Sequence, residues 1–289
     1  MKKFLLLFLL LSACTTTQNN QSIQWDNDLS DGRLMYGKVA PDTEIFIDNS
    51  AKNNGTEGLY QIPTKEGHFV VGIPQDGDKL KLKIKQNGQM KDIVFNVPQR
   101  KWKEDYVSGL PPKKVSPPAE EQKRIQAEFK AMRDKRQVSD FKEFPTKWQL
   151  PLASYKRISS PFGSRRILNG SVKQNGHSGT DYAAETGTPV LAAADGIVVL
   201  THPDMFYTGK TILVDHGYGV YTSYAHLFEI NTKEGQIVKA GDMIGKVGMT
   251  GRATGPHLHF GLRWYGVRLN PEDLFNRYLP QQIRIWCRF

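Results

Sequence analysis

The segment GPHLHFGL, residues 255–262, places two histidines two positions apart. His257 and His259 alternate with Leu258 and Phe260, and a period of two is typical of a half-buried strand. On a strand the two imidazoles point to one face and the apolar side chains point to the other. The sequence therefore predicts a strand that presents two potential metal ligands or proton carriers together.

A second cluster begins at His177, which opens the segment HSGTD and stands four residues before Asp181. If this segment is extended, both side chains lie on one face, and Gly176 and Gly179 argue against a helix. A hydrolytic zinc site needs three protein ligands and one open position for water. His177, Asp181 and one histidine of the pair satisfy that count, but the spacing leaves open which one. The other histidines could then transfer protons or stabilise an oxyanion.

Spacing alone does not establish the site, because single His-x-His and His-x-x-x-Asp patterns are frequent and most lone histidines have structural roles. The chain contains no His-Glu-x-x-His sequence, which excludes the common helical template of zinc proteases. Its two cysteines, Cys14 and Cys287, show neither a CxxC nor a Cys–His spacing. We therefore expect neither cysteine to bind zinc.

Three longer motifs carry a resemblance to a known family: HSGTDYAAETGTPVLAAADGIVVL, TILVDHGYGVYTSYAHL and VKAGDMIGKVGMTGRATGPHLHFGLRWYG. In this order they resemble the lysostaphin-type (LytM-like) peptidoglycan zinc metallo-endopeptidases, from about Ser159 (SSPFGSRR) to about Leu274. The resemblance implies an antiparallel β-sheet domain with an open groove and one Zn²⁺ per chain, with metal-bound water as the nucleophile. It also implies roles for five residues: His177, Asp181 and His259 as zinc ligands, and His226 and His257 as the catalytic pair.

The remaining histidines are interpreted as structural. His68 stands alone, His216 lies at a turn, and His202 precedes Pro203 in an expected loop. Tyr224 lies two residues before His226, so on a regular strand it would share the face of His226 and could contact substrate. An aromatic residue on a strand is more often part of the packing.

The whole chain is expected to be mainly β. Residues 31–108 predict a small β-sandwich-like domain, because Leu80–Lys85 alternates and an Asn-Gly turn leads into a second strand, Met90–Val97. Residues 148–280 predict the metallopeptidase domain, in which Gly-rich turns separate short strands. The N-terminal half also resembles, more weakly, the β-domain and Pro-rich linker of some bacterial lipoproteins of this family.

Residues 109–147 are interpreted as a Pro-rich linker and a helix from about 117 to 137. Ile125, Phe129 and Met132 form one narrow apolar stripe, which we interpret as a packing face. The stiff linker and the helix should hold the two domains at a fixed offset. From its place in the chain, we expect the segment Pro111–Lys114 to run close to the groove.

The N-terminus MKKFLLLFLLLSAC predicts a secretory signal peptide over residues 1–13. Leu-Ser-Ala-Cys resembles a bacterial lipobox, which implies cleavage before Cys14 and an acyl lipid such as palmitate on the mature protein; an ordinary signal peptide is the alternative. Residues 14–30 are predicted to be a flexible tether, and residues 281–289 a tail that contains an unpaired Cys287. Because Thr15 follows Cys14, we expect an outer-membrane protein that faces the periplasm if the host is diderm.

The net charge of +10 (39 − 29) favours an anionic partner. No RNP, zinc-finger or helix-turn-helix pattern supports nucleic acid, and no feature identifies a protein partner. The sequence thus favours a zinc endopeptidase that hydrolyses peptide cross-links between peptidoglycan stem peptides. The alternatives are a catalytically silent relative that binds and activates other cell-wall hydrolases, and a lipoprotein that only binds glycan. Because all five motif positions are present, the enzyme is preferred.

Overall fold

A computed structural model describes residues 23–25, 29–48, 58–137, 139–143, 147–170, 172–173 and 176–275. The predicted signal peptide, Cys14, the tail 281–289 and Cys287 lie outside the described residues. Within that part of the chain, no helix is both long and apolar enough to cross a bilayer.

The first seven strands form the N-terminal β-unit. They are β1 (Gln24–Trp25), β2 (Leu34–Lys38), β3 (Glu44–Asp48), β4 (Leu59–Ile62), β5 (His68–Gly72), β6 (Lys79–Gln86) and β7 (Gln89–Asn96). Their order is β1-β2-β5 in one sheet and β4-β3-β6-β7 in the other. The predicted hairpin is confirmed: Leu80, Leu82 and Ile84 are buried on β6, and Asn87 and Gly88 adopt positive φ at the turn into β7.

Part of the predicted tether is ordered structure. Gln24 and Trp25 pair with Lys38 and Gly37 on β2, so a flexible segment over 14–30 is wrong for these residues. The physical reason is apolar burial, since Ile23 lies in the core of the N-terminal unit and the Trp25 ring meets Phe69 edge to face. Because the neighbouring residues are polar, the sequence gives no signal that Ile23 and Trp25 pack in the core.

The C-terminal unit contains a large antiparallel sheet, as the sequence predicts. Its strands, in spatial order, are β18 (Ile237–Val238), β14 (Gly196–Met205), β15 (Gly209–Asp215), β16 (Val220–Leu227), β20 (His257–Trp264), β12 (Thr180–Ala183) and β9 (Arg157–Ser160), with β21 (Val267–Leu269) also paired to β20. A second, three-stranded sheet has the order β13 (Pro189–Leu191), β19 (Met243–Lys246) and β17 (Glu229–Ile230). A 3₁₀ helix, Pro271–Leu274, follows the last strand.

The two units share one hydrophobic core. Leu34, Met35 and Val70 of the N-terminal unit belong to the same buried cluster as Trp264 and Leu269 of the C-terminal unit. Gly72 lies so close to β20 that an added Cβ would be 2.7 Å from the Cβ of Trp264. The two units are therefore packed directly against each other, and the linker is not needed as a spacer.

One strand of the predicted N-terminal domain belongs to the other unit. Strand β8 (Glu104–Val107) pairs in parallel with β10 (Arg165–Leu168), which also pairs with β11 (Val172–Lys173). The predicted boundary at residue 108 is therefore placed too late, since the N-terminal sheets end at Asn96. A parallel pairing between strands about sixty residues apart leaves no local signal in the sequence.

The predicted helix is present as α2 (Ala119–Asp134), and a short helix, α1 (Pro112–Val115), precedes it. Ile125 is buried and Met132 packs on the buried side chains Leu200, Leu213 and Tyr221, so the apolar stripe is a packing face as predicted. Phe129 is 56% exposed but stacks on Tyr207.

Candidate metal centre and groove

Three of the predicted site residues bring one potential metal-binding atom each to a common point. The Nδ1 atom of His259 lies 2.7 Å from Oδ1 of Asp181 and 3.0 Å from Nε2 of His177. The third side of this triangle, from His177 Nε2 to Asp181 Oδ1, measures 3.2 Å. All three residues are buried, at 4–8% exposure, so bulk water does not compete for these atoms from behind.

The pairing of β12 with β20 creates this arrangement. Asp181 lies directly opposite His259 in the antiparallel register, which brings their side chains together on one face. Gly179 is required just before β12, because an added Cβ would lie 2.4 Å from the carbonyl oxygen of Phe260 and 2.9 Å from the ring of His259. The predicted strand over the histidine pair is thus confirmed, and its apolar face, with Leu258 and Phe260, is fully buried.

The donor set fits a zinc ion. Two imidazole nitrogens and one carboxylate oxygen around a tetrahedral zinc ion, at 2.0–2.2 Å each, would stand roughly 3.3–3.6 Å apart. The observed triangle is slightly tighter than this, so small side-chain movements would admit an ion. Among the described residues, this is the group of three histidine and carboxylate side chains that could hold a metal.

Hydrogen bonds behind the cluster fix how each ring is turned. Nδ1 of His177 lies 3.1 Å from the carbonyl oxygen of Pro161, which can only accept, so Nδ1 carries the proton and Nε2 is left as a ligand atom. Burial alone would raise the pKa of Asp181, but His177 and then His259 hold that pKa well below its ordinary value. Burial lowers the pKa of His259 to about 4, against the attraction of Asp181. Both groups are therefore in the protonation state that binds a metal.

His226 and His257 lie side by side next to this triangle. Their ring centroids are 4.6 Å apart, and the His226 ring is 5.9 Å from that of His259. Nδ1 of His226 donates to the carbonyl of Thr250 at 2.7 Å, and Nδ1 of His257 donates to that of Gly255 at 2.8 Å. Each Nε2 is therefore free of a proton in the neutral ring and can accept one.

The backbone of His226 explains why Tyr224 does not accompany it. His226 has a φ of +62°, which breaks the alternation of β16. Tyr224 lies opposite Phe260 in the buried core, and its hydroxyl accepts a hydrogen bond from the amide of Ala193. The interpretation of Tyr224 as a substrate contact is therefore wrong, because its side chain is fully buried on the other face of the sheet.

A chain of polar contacts that the sequence did not indicate supports Asp181. The Arg166 Nη2 atom donates to Asp181 Oδ2, and its Nε lies 3.7 Å from Oδ2 of Asp105 on β8. Ser160 donates to the same Asp105 oxygen and lies 3.3 Å from Nδ1 of His177. Arg166 falls within the motif SSPFGSRR, which could have drawn attention to it. Asp105 lies in a segment with no motif.

The cluster lies in a groove of about 400 Å³. One wall is the segment Asp105–Ser108 with Leu110, and the opposite side carries the loop Arg252–Pro256. Asp181, His226 and His257 line the groove between them. The expectation that Pro111–Lys114 lies nearby is confirmed, because the Lys114 carbonyl accepts a hydrogen bond at 3.4 Å from Arg252 Nη1.

The other histidines lie away from the groove. His216 is fully buried, and the ring Nδ1 of His202 accepts a hydrogen bond from the amide of Asp204. His68 is partly exposed on β5 of the N-terminal unit. The absence of a catalytic assignment for these three is consistent with their positions.

Comparison with known proteins assigns residues 175–271 to peptidase family M23. The chain is 47% identical over 122 residues to the DD-carboxypeptidase/endopeptidase Mpg of Neisseria meningitidis, which covers 42% of this chain and 27% of that protein. It is 46% identical over 132 residues to the peptidoglycan DD-endopeptidase ShyA of Vibrio cholerae, covering 45% of this chain and 29% of that protein. The chain thus matches less than a third of the length of these curated relatives.

A solved structure matches a much larger part of the chain. A peptidase M23 protein from Pseudomonas aeruginosa, described as putative, aligns with a TM-score of 0.63 and 28% identity. The alignment covers 86% of this chain and 96% of that one. The two-unit architecture is therefore shared with another protein.

Proposed function

We propose that this chain, which carries a peptidase family M23 domain, is a zinc-dependent endopeptidase that hydrolyses peptide cross-links of bacterial peptidoglycan. The observation that carries the proposal is the convergence of His177, Asp181 and His259 beside a groove that Asp181 lines together with two further imidazoles. Relatives named as DD-endopeptidases support cleavage of D,D-type cross-links.

In this proposal His177, Asp181 and His259 hold one Zn²⁺ per chain. When bound, zinc supplies a Lewis acid that polarises a peptide carbonyl and makes water more acidic. Arg166 holds the second oxygen of Asp181, so that only one oxygen faces the two histidines. Such outer contacts fix ligand orientation and support metal affinity.

His226 and His257 are proposed to handle protons and the developing negative charge. Burial first, and then the neighbouring His257 and His259, lowers the pKa of His226 well below its ordinary value, so its ring is neutral at physiological pH. A neutral Nε2 can take a proton from the attacking water and later deliver it to the leaving amine. His257, whose ring lies beside that of His226, is proposed to stabilise the negative charge that develops at the reacting carbon.

The groove suits an extended, anionic peptide. Three guanidinium groups line it, from Arg157, Arg166 and Arg252, while Asp105 and Asp181 are its acidic members. The three guanidinium groups outnumber the two carboxylates, so these side chains give the groove a net charge of +1 (3 − 2). Stem peptides of peptidoglycan carry free carboxylates, which this positive charge would attract.

We further propose that the mature protein is anchored through an acylated Cys14 in the cell envelope, and at the outer membrane facing the periplasm in a diderm host. The lipobox-like Leu-Ser-Ala-Cys sequence and the following Thr15 support this. Metabolic labelling with a palmitate analogue should mark the wild-type chain and leave Cys14→Ser unlabelled. If the Cys14→Ser variant still requires detergent for extraction from membranes, the anchor lies elsewhere.

Digestion of purified peptidoglycan tests the activity. The wild-type chain should convert cross-linked dimers into monomers, and mass spectrometry should find the new termini within the peptide cross-link. A chelator should stop the reaction, and an Asp181→Ala variant should give no product. If metal-loaded wild-type protein releases no peptide termini but stimulates another hydrolase in the same digest, the chain is an activator and the enzyme proposal fails.

A further inference from the structure

Arg136, Arg263 and Arg268 form a basic cluster at the large sheet, further along β20 than the metal centre. Arg263 and Arg268 lie directly opposite each other in the register of β20 and β21. Arg136 follows helix α2 and is only 7% exposed. Arg263 occupies the same face of β20 as His259, but four residues further along, about 13 Å away. This basic cluster is therefore separate from the groove.

Two of the three guanidinium nitrogens of Arg136 have no hydrogen-bond partner in the described structure. These are its Nε and Nη1 atoms, which are both buried. Arg263 donates from Nη1 to the carbonyl oxygen of Gly266, a neutral acceptor, at 2.9 Å. In the part of the chain that the structure describes, none of the three guanidinium groups forms an ion pair with a carboxylate. A buried cation without a partner is strongly unfavourable, and two like charges directly opposite on a sheet add to this.

One acidic residue on the same face of this sheet, Asp215, is separated from Arg263 by Tyr221 and is hydrogen-bonded to other groups. Asp215 lies opposite Tyr221 on β16, and Tyr221 lies opposite Arg263. Both Asp215 oxygens accept hydrogen bonds, from the Ser139 hydroxyl and from the amides of Asp140, Phe141 and Gly217. Burial first, and then the charges of Arg136 and Arg268, lower the pKa of Arg263 well below its ordinary value.

We infer that Arg136, Arg263 and Arg268 form a binding site for a small oxyanion of the phosphate or sulfate class. A dianion would supply acceptors for the unsatisfied nitrogens of Arg136 and neutralise most of the local charge. Arg268 is exposed and Arg136 is buried, so we expect an ion to reach the cluster from the Arg268 side. Because Arg136 belongs to the turn after α2 and the other two belong to the sheet, the ion joins the helix to the catalytic unit.

Equilibrium dialysis of the full chain with radiolabelled sulfate tests this inference. We expect saturable binding of one sulfate per chain. Arg268→Gln, an exposed substitution that should leave folding intact, should weaken binding by roughly tenfold or more. Arg157→Gln, which removes an exposed arginine from the groove, is the matched control and should bind as wild type does. Equal binding by Arg268→Gln, or no saturable binding by the wild type, would overturn the site.

A second comparison does not depend on binding measurements. In sulfate-free buffer Arg136→Met should be at least as stable to heat as the wild type, because it removes an unpaired buried charge. With saturating sulfate at matched ionic strength, the wild type should become the more stable of the two. A constant difference in melting temperature across the titration would contradict the inference. Glycerol phosphate in place of sulfate distinguishes a site for a free ion from one that accepts a phosphate group on a larger molecule.

Discussion

Two kinds of histidine occur in the C-terminal unit, and their hydrogen bonds distinguish them. His216 uses both ring nitrogens within the chain, with Nδ1 at 2.8 Å from the carbonyl of Asp195 and Nε2 at 2.7 Å from the hydroxyl of Thr222. His226 and His257 each donate from Nδ1 to one backbone carbonyl, and their rings meet each other in the groove. A histidine whose two ring nitrogens are both hydrogen-bonded within the fold is structural. A histidine with one ring nitrogen facing the groove is available for chemistry.

The largest effect is expected when one of the three proposed metal ligands is removed. His177→Ala removes one of three donor atoms, so metal affinity and hydrolysis of peptidoglycan should both fall to background. His216→Ala is the contrasting variant and should keep its activity wherever it remains folded. Hydrolysis by a metal-loaded His177→Ala protein at the wild-type rate would show that His177 is not a ligand.

The next effect concerns a histidine of the groove that is outside the donor triangle. His226→Asn is the preferred variant, because asparagine tolerates the φ of +62° at this position. Zinc content should stay near that of the wild type, while turnover falls by about 10²–10⁴, the usual range for a lost acid–base group. Loss of zinc together with activity would assign His226 a role in holding the metal.

A smaller effect on zinc affinity is expected from Asp105 on β8, which contacts the residues that support the metal ligands. Asp105→Asn weakens the contacts of β8 with Ser160 and Arg166, and zinc affinity should fall by about 10–100-fold, as for other outer-shell partners. Glu104→Gln, on the same strand and exposed, is the matched control. Competition with a chelator measures the zinc affinity of both variants. If Asp105→Asn binds zinc as tightly as Glu104→Gln does, Asp105 does not support the metal ligands.

The smallest effect on activity is expected for the structural histidine, His216. Its contribution is to stability, which we expect to depend on pH. Burial lowers the pKa of His216 to about 4 in the folded protein, against about 6.5 when unfolded. Between these values the unfolded chain binds more protons, so this stabilisation is complete above pH 6.5 and declines as the pH falls to 4, by about 3 kcal/mol. Denaturant unfolding of wild type and His216→Asn should show the difference between them shrinking over this window. A difference that does not change with pH would mean that His216 is already charged in the fold.

The sequence predicted the parts of the site that depend on short-range order. Alternation in His257–Phe260 is sufficient to put two imidazoles on one face, and the apolar side chains behind them are buried as expected. Tyr224 was misplaced because the left-handed backbone of His226 shifts the phase of the strand, and no residue type signals such a φ at a histidine. Asp105 could not be predicted, since it reaches Ser160 only through a parallel pairing of distant strands.

The boundaries of the units were harder to predict than their strands. The spacing of turns predicts the hairpin of β6 and β7. The packing of the apolar faces of the two units against each other depends on contacts between distant residues, which local patterns do not indicate. Leu34 and Trp264 lie in one core although the sequence between them contains a Pro-rich segment that suggested separation. Ile23 and Trp25 show the same effect, because two apolar residues within a polar stretch give no periodic signal.

Metal analysis of two variants on one strand tests the central claim most directly. His257 and His259 are two residues apart on β20 and share one face, so general damage to the fold should affect both variants alike. We predict that His259→Ala, purified beside the wild type and dialysed against the same zinc buffer, retains almost no zinc, whereas His257→Ala retains about one zinc per chain and has lost most of its hydrolytic activity. A zinc-replete His259→Ala protein together with a zinc-free His257→Ala protein would contradict the donor set that the structure brings together.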